Sequence, residues 1–238
     1  MIDKKKDFKI IRLKADNKIY YPDSSEHEDW MDDKYIKQSK INIPLGVSRY
    51  GGPVIDLPED IEYPSDLRFV AQIDLSKASK FDSYGLLPKT GQLYFFADIL
   101  SDKGKVIYSN TENEKLIRTI KEHEDNFWSG VLITDFYSDT ENINERFIEE
   151  EKKGFFSKKI VRQWDFFAGS DKSKIFGIFT HCQHDQEYIE KVSFSNKLIL
   201  LQIGEDGFND EGVFTTLIDK SDLENRNFDN CEFTWGQS

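Results

Sequence analysis

The sequence predicts an α+β protein built mainly of antiparallel sheets, with a pseudo-duplicated β-hairpin unit and a few peripheral helices. Short apolar runs outnumber helical patterns, and brief links join most of them, which favours antiparallel pairing. A repeated phrase is the second observation. FVAQIDL at 69–75 is followed by LLPKTGQLYFFA at 86–97, and LILLQIG at 198–204 is followed by an acidic turn and EGVFTTLI at 211–218. Each copy has an apolar strand with Gln-Ile, a turn, a glycine and a second apolar strand, as expected of two related hairpins.

The N-terminal part has alternating and turn-rich segments. Apolar and polar residues alternate at 8–13 and 40–46, which predicts two strands, and Pro44 suits an edge strand or the end of the second strand. The acidic segment 23–33 lacks periodicity and predicts a solvated loop or a short helix. Residues 48–64 hold two adjacent glycines and three of the six prolines. This composition predicts an ordered turn segment, neither a regular helix nor a central strand.

The other predicted strands are short runs of apolar and aromatic residues bounded by turn signals. They are 68–75, 92–100, 105–109, 129–137, 155–161, 163–167, 174–180, 197–204, 213–219 and 231–236. Short helices or helical turns are predicted at 76–84, 187–192 and 221–227.

Two longer helices are predicted in the middle of the chain. Segment 113–124 places Leu116, Ile117 and Ile120 at helical spacing. Segment 140–153 begins with acidic residues and ends with two lysines before Gly154, which matches the helix dipole and a C-terminal stop signal.

The domain organisation follows from length and from the lack of a linker. A chain of 238 residues forms one large domain or two small ones. Because no Pro-, Gly- or Ser-rich spacer divides it, we expect one compact unit at 48–238, with the strand and acidic segment of 1–47 packed on it. Aromatic residues make up 14% of the chain, enough for a substantial core.

Charge and cysteine content restrict the partners and the compartment. Forty-four acidic residues against thirty-two basic ones give a net charge of −12, which argues against binding to nucleic acid or to an anionic membrane and favours a basic protein partner. No apolar segment is long enough for a membrane span or a signal peptide. With only Cys182 and Cys231, a disulfide framework is not expected. We therefore expect a soluble, cytoplasmic protein with reduced thiols.

Several motifs follow one another along the chain. Residues 48–52 (SRYGG) precede PVIDLP, then FVAQID, then LLPKTGQLYFF, and the later part has Gly177, Gln183 and Asp185 before LLQI at 200–203. The order of these motifs resembles the YwqG-like family of bacterial proteins. The resemblance extends from about residue 48 to 236. The acidic turn EDGFNDEG departs from the family pattern. Because the family is uncharacterised, the resemblance implies a fold and no reaction.

Two clusters could suggest a metal site. His181, Cys182, His184 and Asp185 are competent zinc ligands, but neighbours along a strand cannot all converge on one ion, and no second paired spacing supports them. The carboxylates of 205–211 do not follow the calcium-loop spacing. We predict polar loops in both places, and neither a metal nor a cofactor.

Six residues are candidates for a binding site, and no catalytic residue is nominated. Gln72, Gln183 and Gln202 lie in the family motifs, with Asp74 and Asp185 beside two of them. The structural interpretation, in which amides satisfy buried backbone groups and aspartates cap turns, is favoured. Arg49 either binds an anion or, as we favour, braces loop carbonyls.

Two functional hypotheses remain. No nucleophile elbow or P-loop is present, so the first hypothesis is a non-enzymatic binding protein, of the immunity type that neutralises a toxin domain. Its acidity suits a basic partner. The alternative is a small-ligand-binding protein or hydrolase that uses a cleft between the two repeats.

Overall fold

The computed structural model describes residues 7–25, 33–98, 101–128, 130–142, 147–154, 157–164, 173–181, 183–204 and 212–236. The strands of these ranges are β1 (Asp7–Tyr21), β2 (Tyr35–Lys37), β3 (Arg49–Tyr50), β4 (Val54–Leu57), β5 (Arg68–Asp74), β6 (Gln92–Asp98), β7 (Lys103–Ser109), β8 (Ile117–Ile120), β9 (Gly130–Asn142), β10 (Phe147–Gly154), β11 (Ser157–Trp164), β12 (Lys174–Ile175), β13 (Lys197–Ile203), β14 (Val213–Asp219) and β15 (Glu232–Gly236). The α-helices are α1 (Leu75–Ala78), α2 (Gln186–Ser193) and α3 (Lys220–Glu224).

Most strands join one curved sheet in the order β15-β14-β13-β12-β1-β9-β3-β5-β6-β7, and every pair along this path is antiparallel. Its two end strands, β7 and β15, approach each other. A Cβ atom on Gly104 of β7 would lie 2.5 Å from the ring of Phe233 on β15. The sheet is therefore barrel-like and nearly closed, with a seam between β7 and β15.

The inside of this sheet holds the main apolar core, to which β1, β5, β6, β9, β13 and β14 contribute. Three further apolar clusters lie outside it, and the two larger ones pack on the sheet. One packs Ile55 and Leu57 of β4 against Phe69, Tyr94 and Phe96. In the other, residues of α2 pack against β1 and β13. The ribbon formed by β4 and β8 and the helix α2 thus cover different parts of the outer face.

The repeated phrase forms two antiparallel hairpins, β5–β6 and β13–β14. Each hairpin has a register shift close to its glutamine. In the first it lies between Phe69 and Ala71, and in the second between Ile199 and Leu201. A bulge of this kind bends a strand and increases its twist.

Both long mid-chain helices were predicted wrongly. Segment 113–124 forms a 3-10 turn (Asn113–Lys115), the strand β8 and a second 3-10 turn (Glu124–Asn126). The second segment belongs to β9, which continues to Asn142, and to β10, while residues 143–146 lie outside the described part. Apolar spacing in short charged segments fits either structure, and pairing with β4, β1 and β11 decides for strands.

Shorter predictions also needed correction. Segment 48–64 contains the central strand β3, whose two residues are too few for a sequence pattern, between β9 and β5. Segment 40–46 is not a strand. Its first residue ends the 3-10 turn (Gln38–Lys40) that follows β2, and residues 41–46 pair with none of the described strands. The strand expected at 174–180 is only β12. Residues 26–32 and 205–211 lie outside the described part.

Other expected strands are confirmed, with boundaries shifted by a few residues: β1, β5, β6, β7, β9, β13, β14 and β15. The N-terminal strand β1 lies within the main sheet, between β9 and β12. In the described part of the chain, no helix is long and apolar enough to cross a membrane.

Candidate functional site

Arg49 lies at the centre of a buried polar network. Its side chain is fully buried, and its guanidinium donates to the carbonyl oxygens of Val54 (2.9 Å) and Val47 (2.8 Å) and to Oε1 of Gln72 (2.8 Å). Nη2 also lies 2.9 Å from Oδ2 of Asp56. The planar guanidinium thus ties β3 to β4 and β5 at once, as its fixed fork of donors allows.

Asp56 balances this charge and receives a second cation. The carboxylate accepts from Nε (2.8 Å) and Nη2 (3.0 Å) of Arg118 on β8, and from the backbone N–H of Gly46 (3.0 Å). Although burial acts in the opposite direction, the hydrogen bond from Arg118 and the charge of Arg49 hold the pKa of Asp56 below its usual range. Asp56 is therefore ionised at neutral pH.

Two glutamines extend the network along the sheet. Nε2 of Gln72 donates to Oε1 of Gln92 (3.3 Å), whose own Nε2 donates to the carbonyl oxygen of Gly46 (3.0 Å) and to Oδ1 of Asn113 (2.8 Å). Both glutamine residues are fully buried. The network fastens the β4–β8 ribbon and the loop before β3 onto the outer face of the sheet.

A second buried network surrounds Lys174. Its Nζ donates to Oε2 of Glu141 (2.6 Å) and to the carbonyl oxygen of Ile178 (2.7 Å). The same Oε2 accepts the backbone N–H of Ile178 (2.9 Å), and Oε1 lies 3.3 Å from Nη2 of Arg12 on β1. Gly177 has φ +99°, and a Cβ atom there would lie 2.6 Å from Oε2 of Glu141. Only glycine lets the turn approach the carboxylate this closely.

The two networks occupy matching places in the strand pairing. Arg49 on β3 is opposite Gln72 on β5, and Lys174 on β12 is opposite Gln202 on β13. In both networks, two residues with positive φ follow the short strand. After β3 the φ angles are 43° and 84° at residues 51–52, and after β12 they are 64° and 99° at residues 176–177.

The serines before the two cations also match. The hydroxyl of Ser48 accepts the backbone N–H of Asp74 (2.8 Å), and that of Ser173 accepts the backbone N–H of Gly204 (3.1 Å). Each acceptor precedes its cation by one residue, and each donor follows its glutamine by two residues.

The six candidate residues of the sequence analysis do not converge on one cleft. Arg49 and Gln72 meet in the first network. Gln202 lies opposite Lys174 of the second network, and its Oε1 accepts the backbone N–H of Thr180 (3.2 Å). Of the remaining three residues, the two aspartates accept backbone N–H groups at helix starts. Oδ1 of Asp74 accepts the backbone N–H of Ser76 at the start of α1, Asp185 caps α2 through Tyr188 N–H (2.8 Å), and the Gln183 side chain is exposed.

The histidine cluster is a ring stack next to α2. The rings of His181 and His184 lie 4.2 Å apart, and His184 stacks on Tyr188 at 4.1 Å. Burial, together with the charge of His184, lowers the pKa of His181 to about 4. Within the ranges described above, which exclude Cys182, no group of three or more His, Cys, Asp or Glu is placed to hold a metal ion.

A long groove, which the sequence did not reveal, follows the seam beside β7. Its first part has a volume of about 690 Å³ and is lined by Glu62, Tyr63, Pro64, Ser65, Asp66, Leu67, Asp102, Lys103, Gly104, Lys105, Cys231 and Phe233. The adjoining part, of about 570 Å³, shares Glu62 and Lys105 and adds Asp60, Ile61, Val106, Ile107, Tyr108, Arg226, Asn227, Phe228 and Asp229. These residues together are the seam groove. The acidic run PEDIEYPSD was the one signal of it in the sequence.

A family model for a domain of unknown function, DUF1963, matches residues 48–236. The chain belongs to this family. No curated protein matches it. The family region contains Arg49, Asp56 and Gln72 of the first network and Glu141 and Lys174 of the second. Arg12, on β1, lies outside it, so a residue beyond the family domain completes the second network.

Proposed function

We propose that the protein is a non-catalytic binding protein that takes a segment of a basic partner protein into the seam groove. A toxin domain neutralised by an immunity-type protein is a partner of this class. The observation that supports the proposal is the seam groove itself, which combines acidic side chains with an aromatic floor and wall.

The shape of the groove suits an extended chain segment. β7 runs along both parts of it, and its seven residues span about 24 Å. Segment 60–67 forms one wall and segment 226–233 the other. A long channel with two parallel walls fits a peptide better than a compact metabolite, which would need a more enclosed pocket.

The charge of the groove suits a basic segment. Five lining residues are acidic (Asp60, Glu62, Asp66, Asp102 and Asp229) and three are basic (Lys103, Lys105 and Arg226). The chain as a whole has a net charge of −12. A field of this sign speeds the encounter with a basic protein and disfavours acidic ones.

The polar groups that could act as catalysts are poorly placed to reach a substrate. Arg49, Asp56 and Gln72 are fully buried and hold one another. In the groove, burial and the neighbouring Asp222 and Asp229 raise the pKa of the Cys231 thiol to about 12. A thiol of this kind is not a nucleophile at neutral pH.

We further propose that each hairpin, together with the short strand that pairs with it, is a copy of one unit, with Arg49 and Gln72 in the first copy and Lys174 and Gln202 in the second. Support comes from the matching register, the matching serines and the two register shifts. In this interpretation the motif glutamines hold strands together and do not bind a ligand.

The test uses a labelled octapeptide of alternating lysine and valine, its counterpart of glutamate and valine, and the basic products of neighbouring genes purified one at a time. We expect micromolar binding of the lysine peptide and of one gene product, and none of the glutamate peptide. Asp60→Lys with Glu62→Lys should weaken binding at least 10-fold.

The matched control is Glu114→Lys with Glu187→Lys, which makes the same change in net charge at exposed positions outside the groove. We expect it to weaken binding less than 3-fold. Equal losses in both double variants would mean attraction by net charge alone, and absence of binding to the lysine peptide and to every gene product would exclude the proposal.

A further inference from the structure

Resting on the proposed function, we infer that the partner segment binds as a β-strand added to the free edge of β7. In this arrangement the groove recognises its partner through the backbone as well as through side chains. Strand addition is a common way to bind an extended peptide, because main-chain hydrogen bonds supply affinity while alternate side chains supply specificity.

The strand register shows which groups of β7 face its free edge. The backbone N–H of Leu75 donates to the carbonyl of Gly91 (2.9 Å), so every second pairing from there along β5–β6 is hydrogen-bonded, including Ile73 with Leu93. The backbone groups of Tyr94 therefore face β7. Tyr94 pairs with Ile107, so Ile107 faces β6.

By the same alternation, Lys103 and Lys105 also direct their backbone groups to β6. The N–H and C=O groups of Gly104, Val106 and Tyr108 point the other way, to the seam. Among the described residues, β7 pairs with β6 alone, and no backbone hydrogen bond joins these three residues to β15 or to any loop. These residues offer up to six main-chain groups to a partner strand, and Phe233 of β15 lies beside Gly104 at one end of this edge.

The two faces of an added strand would meet different surroundings. Val106 belongs to the inner core and Phe233 packs against it, so partner side chains on that face meet apolar groups. The other face carries Lys103 and Lys105 of β7 and lies towards the loop with Asp60, Glu62 and Asp66, so three acidic side chains face two lysines there. The occupant is therefore a strand that alternates apolar and basic residues, which is why the octapeptide alternates valine with lysine.

A second copy of this chain is a poorer occupant than a basic partner. A second copy would bring a net charge of −12 to an acidic groove.

The experiment measures affinity for octapeptides methylated at one backbone nitrogen at a time. In a paired strand, alternate N–H groups point to β7, so methylation at positions of one parity should weaken binding at least 10-fold and at the other parity less than 2-fold. On the protein, saturating peptide should slow amide exchange at Gly104, Val106 and Tyr108 at least 10-fold. The amides of Lys105 and Ile107, already paired with β6, serve as internal controls and should change little.

Each outcome of these measurements supports or overturns one of the two proposals. Alternation together with selective protection supports strand addition. Tight binding without alternation and without protection at Gly104, Val106 and Tyr108 overturns strand addition and leaves the binding function standing. Failure of the unmodified lysine peptide to bind, with all neighbouring gene products also negative, overturns both.

Discussion

Arg49 and Lys174 occupy matching places in the sheet, yet the networks around them hold different parts of the molecule together. Each is a fully buried cation on a two-residue strand, opposite a buried glutamine. The acid that balances Arg49 is Asp56, on the separate β4–β8 ribbon. The acid that balances Lys174 is Glu141, on β9 of the main sheet itself. The first network therefore docks a ribbon, and the second braces a turn within the sheet.

Each buried acid is shared with a second cation, and this cation differs in exposure. The side chain of Arg118 beside Asp56 is 32% exposed, and that of Arg12 beside Glu141 is 13% exposed. Arg12 also contacts Asp139, so it has another acidic partner. The comparison shows that one buried arrangement can serve two purposes, depending on where the chain supplies its acid.

The largest effect is expected from Asp56→Asn. The substitution leaves Arg49 buried without a counter-charge, and arginine cannot release its proton. We expect a loss of about 3–5 kcal/mol in the free energy of unfolding, measured by urea denaturation. Asp125→Asn is the control, because Asp125 is 94% exposed and pairs only at the surface with Arg68; it should change stability by less than about 1 kcal/mol. Similar losses in both variants would contradict the docking role.

Glu141→Gln should cost less, about 2–3 kcal/mol. A glutamine oxygen can still accept from Lys174 and Ile178, a buried lysine can release its proton, and Arg12 keeps Asp139. In a double-mutant cycle, Arg12→Ala and Glu141→Gln together should cost less than the sum of the two single variants, because both remove the ion pair between Arg12 and Glu141. If Glu141→Gln proved more harmful than Asp56→Asn, the ranking of the two networks would be reversed.

As the pH falls, the contribution of His181 to stability should be lost before that of Asp56 in the Arg49 network. Since the pKa of His181 falls from 6.5 to about 4 on folding, the unfolded chain binds more protons between these values, and stability falls as the pH drops through this range. We expect a loss of about 1–2 kcal/mol between pH 7 and pH 5. Asp56, whose pKa is lowered, loses its contribution only at lower pH, below the ordinary range of aspartate.

His181→Gln should remove most of this dependence on pH, and His123→Gln, at an exposed position, should leave it unchanged. Urea denaturation of the three proteins at pH 7, 6 and 5 measures it. A pH dependence that persists in His181→Gln would assign the effect to another group.

The smallest effects are expected from two serine substitutions, which test whether the Arg49 and Lys174 networks match. Ser48→Ala and Ser173→Ala each remove one hydrogen bond to a backbone N–H, at 2.8 and 3.1 Å. Both serines are buried, so each loss should be about 1–2 kcal/mol. Urea denaturation should give values within about 0.5 kcal/mol of each other. A cost in one variant alone would mean that the two serines do not have equivalent roles.

Sequence reasoning succeeded where strands are long and apolar. The hairpins β5–β6 and β13–β14 could be predicted because their alternation and their turns are local features. It failed at β8 and at the end of β9, where charged segments with apolar residues at helical spacing form strands because a partner strand is near. Such a partner is separated in sequence, and single-chain patterns do not show it.

The candidate site could be predicted in part. Arg49 and Gln72 were found because they lie in recognisable motifs, and the favoured bracing role for Arg49 agrees with its contacts to the Val47 and Val54 carbonyls. Lys174 was missed, although Ser173, Lys174 and Gly177 repeat the pattern of Ser48, Arg49 and Gly52. The seam groove could not be predicted, because its walls come from segments more than 150 residues apart.

By itself the sequence determined the β-rich class, the two hairpins, the acidic net charge and the membership of a family without a known reaction. These properties follow from composition and from local alternation, which act over a few residues. Only the tertiary structure decided which acid meets which buried cation and which edge of β7 has no partner among the described strands. Ion pairing and sheet closure depend on distances in space, and these distances arise only when strands far apart in the chain come together.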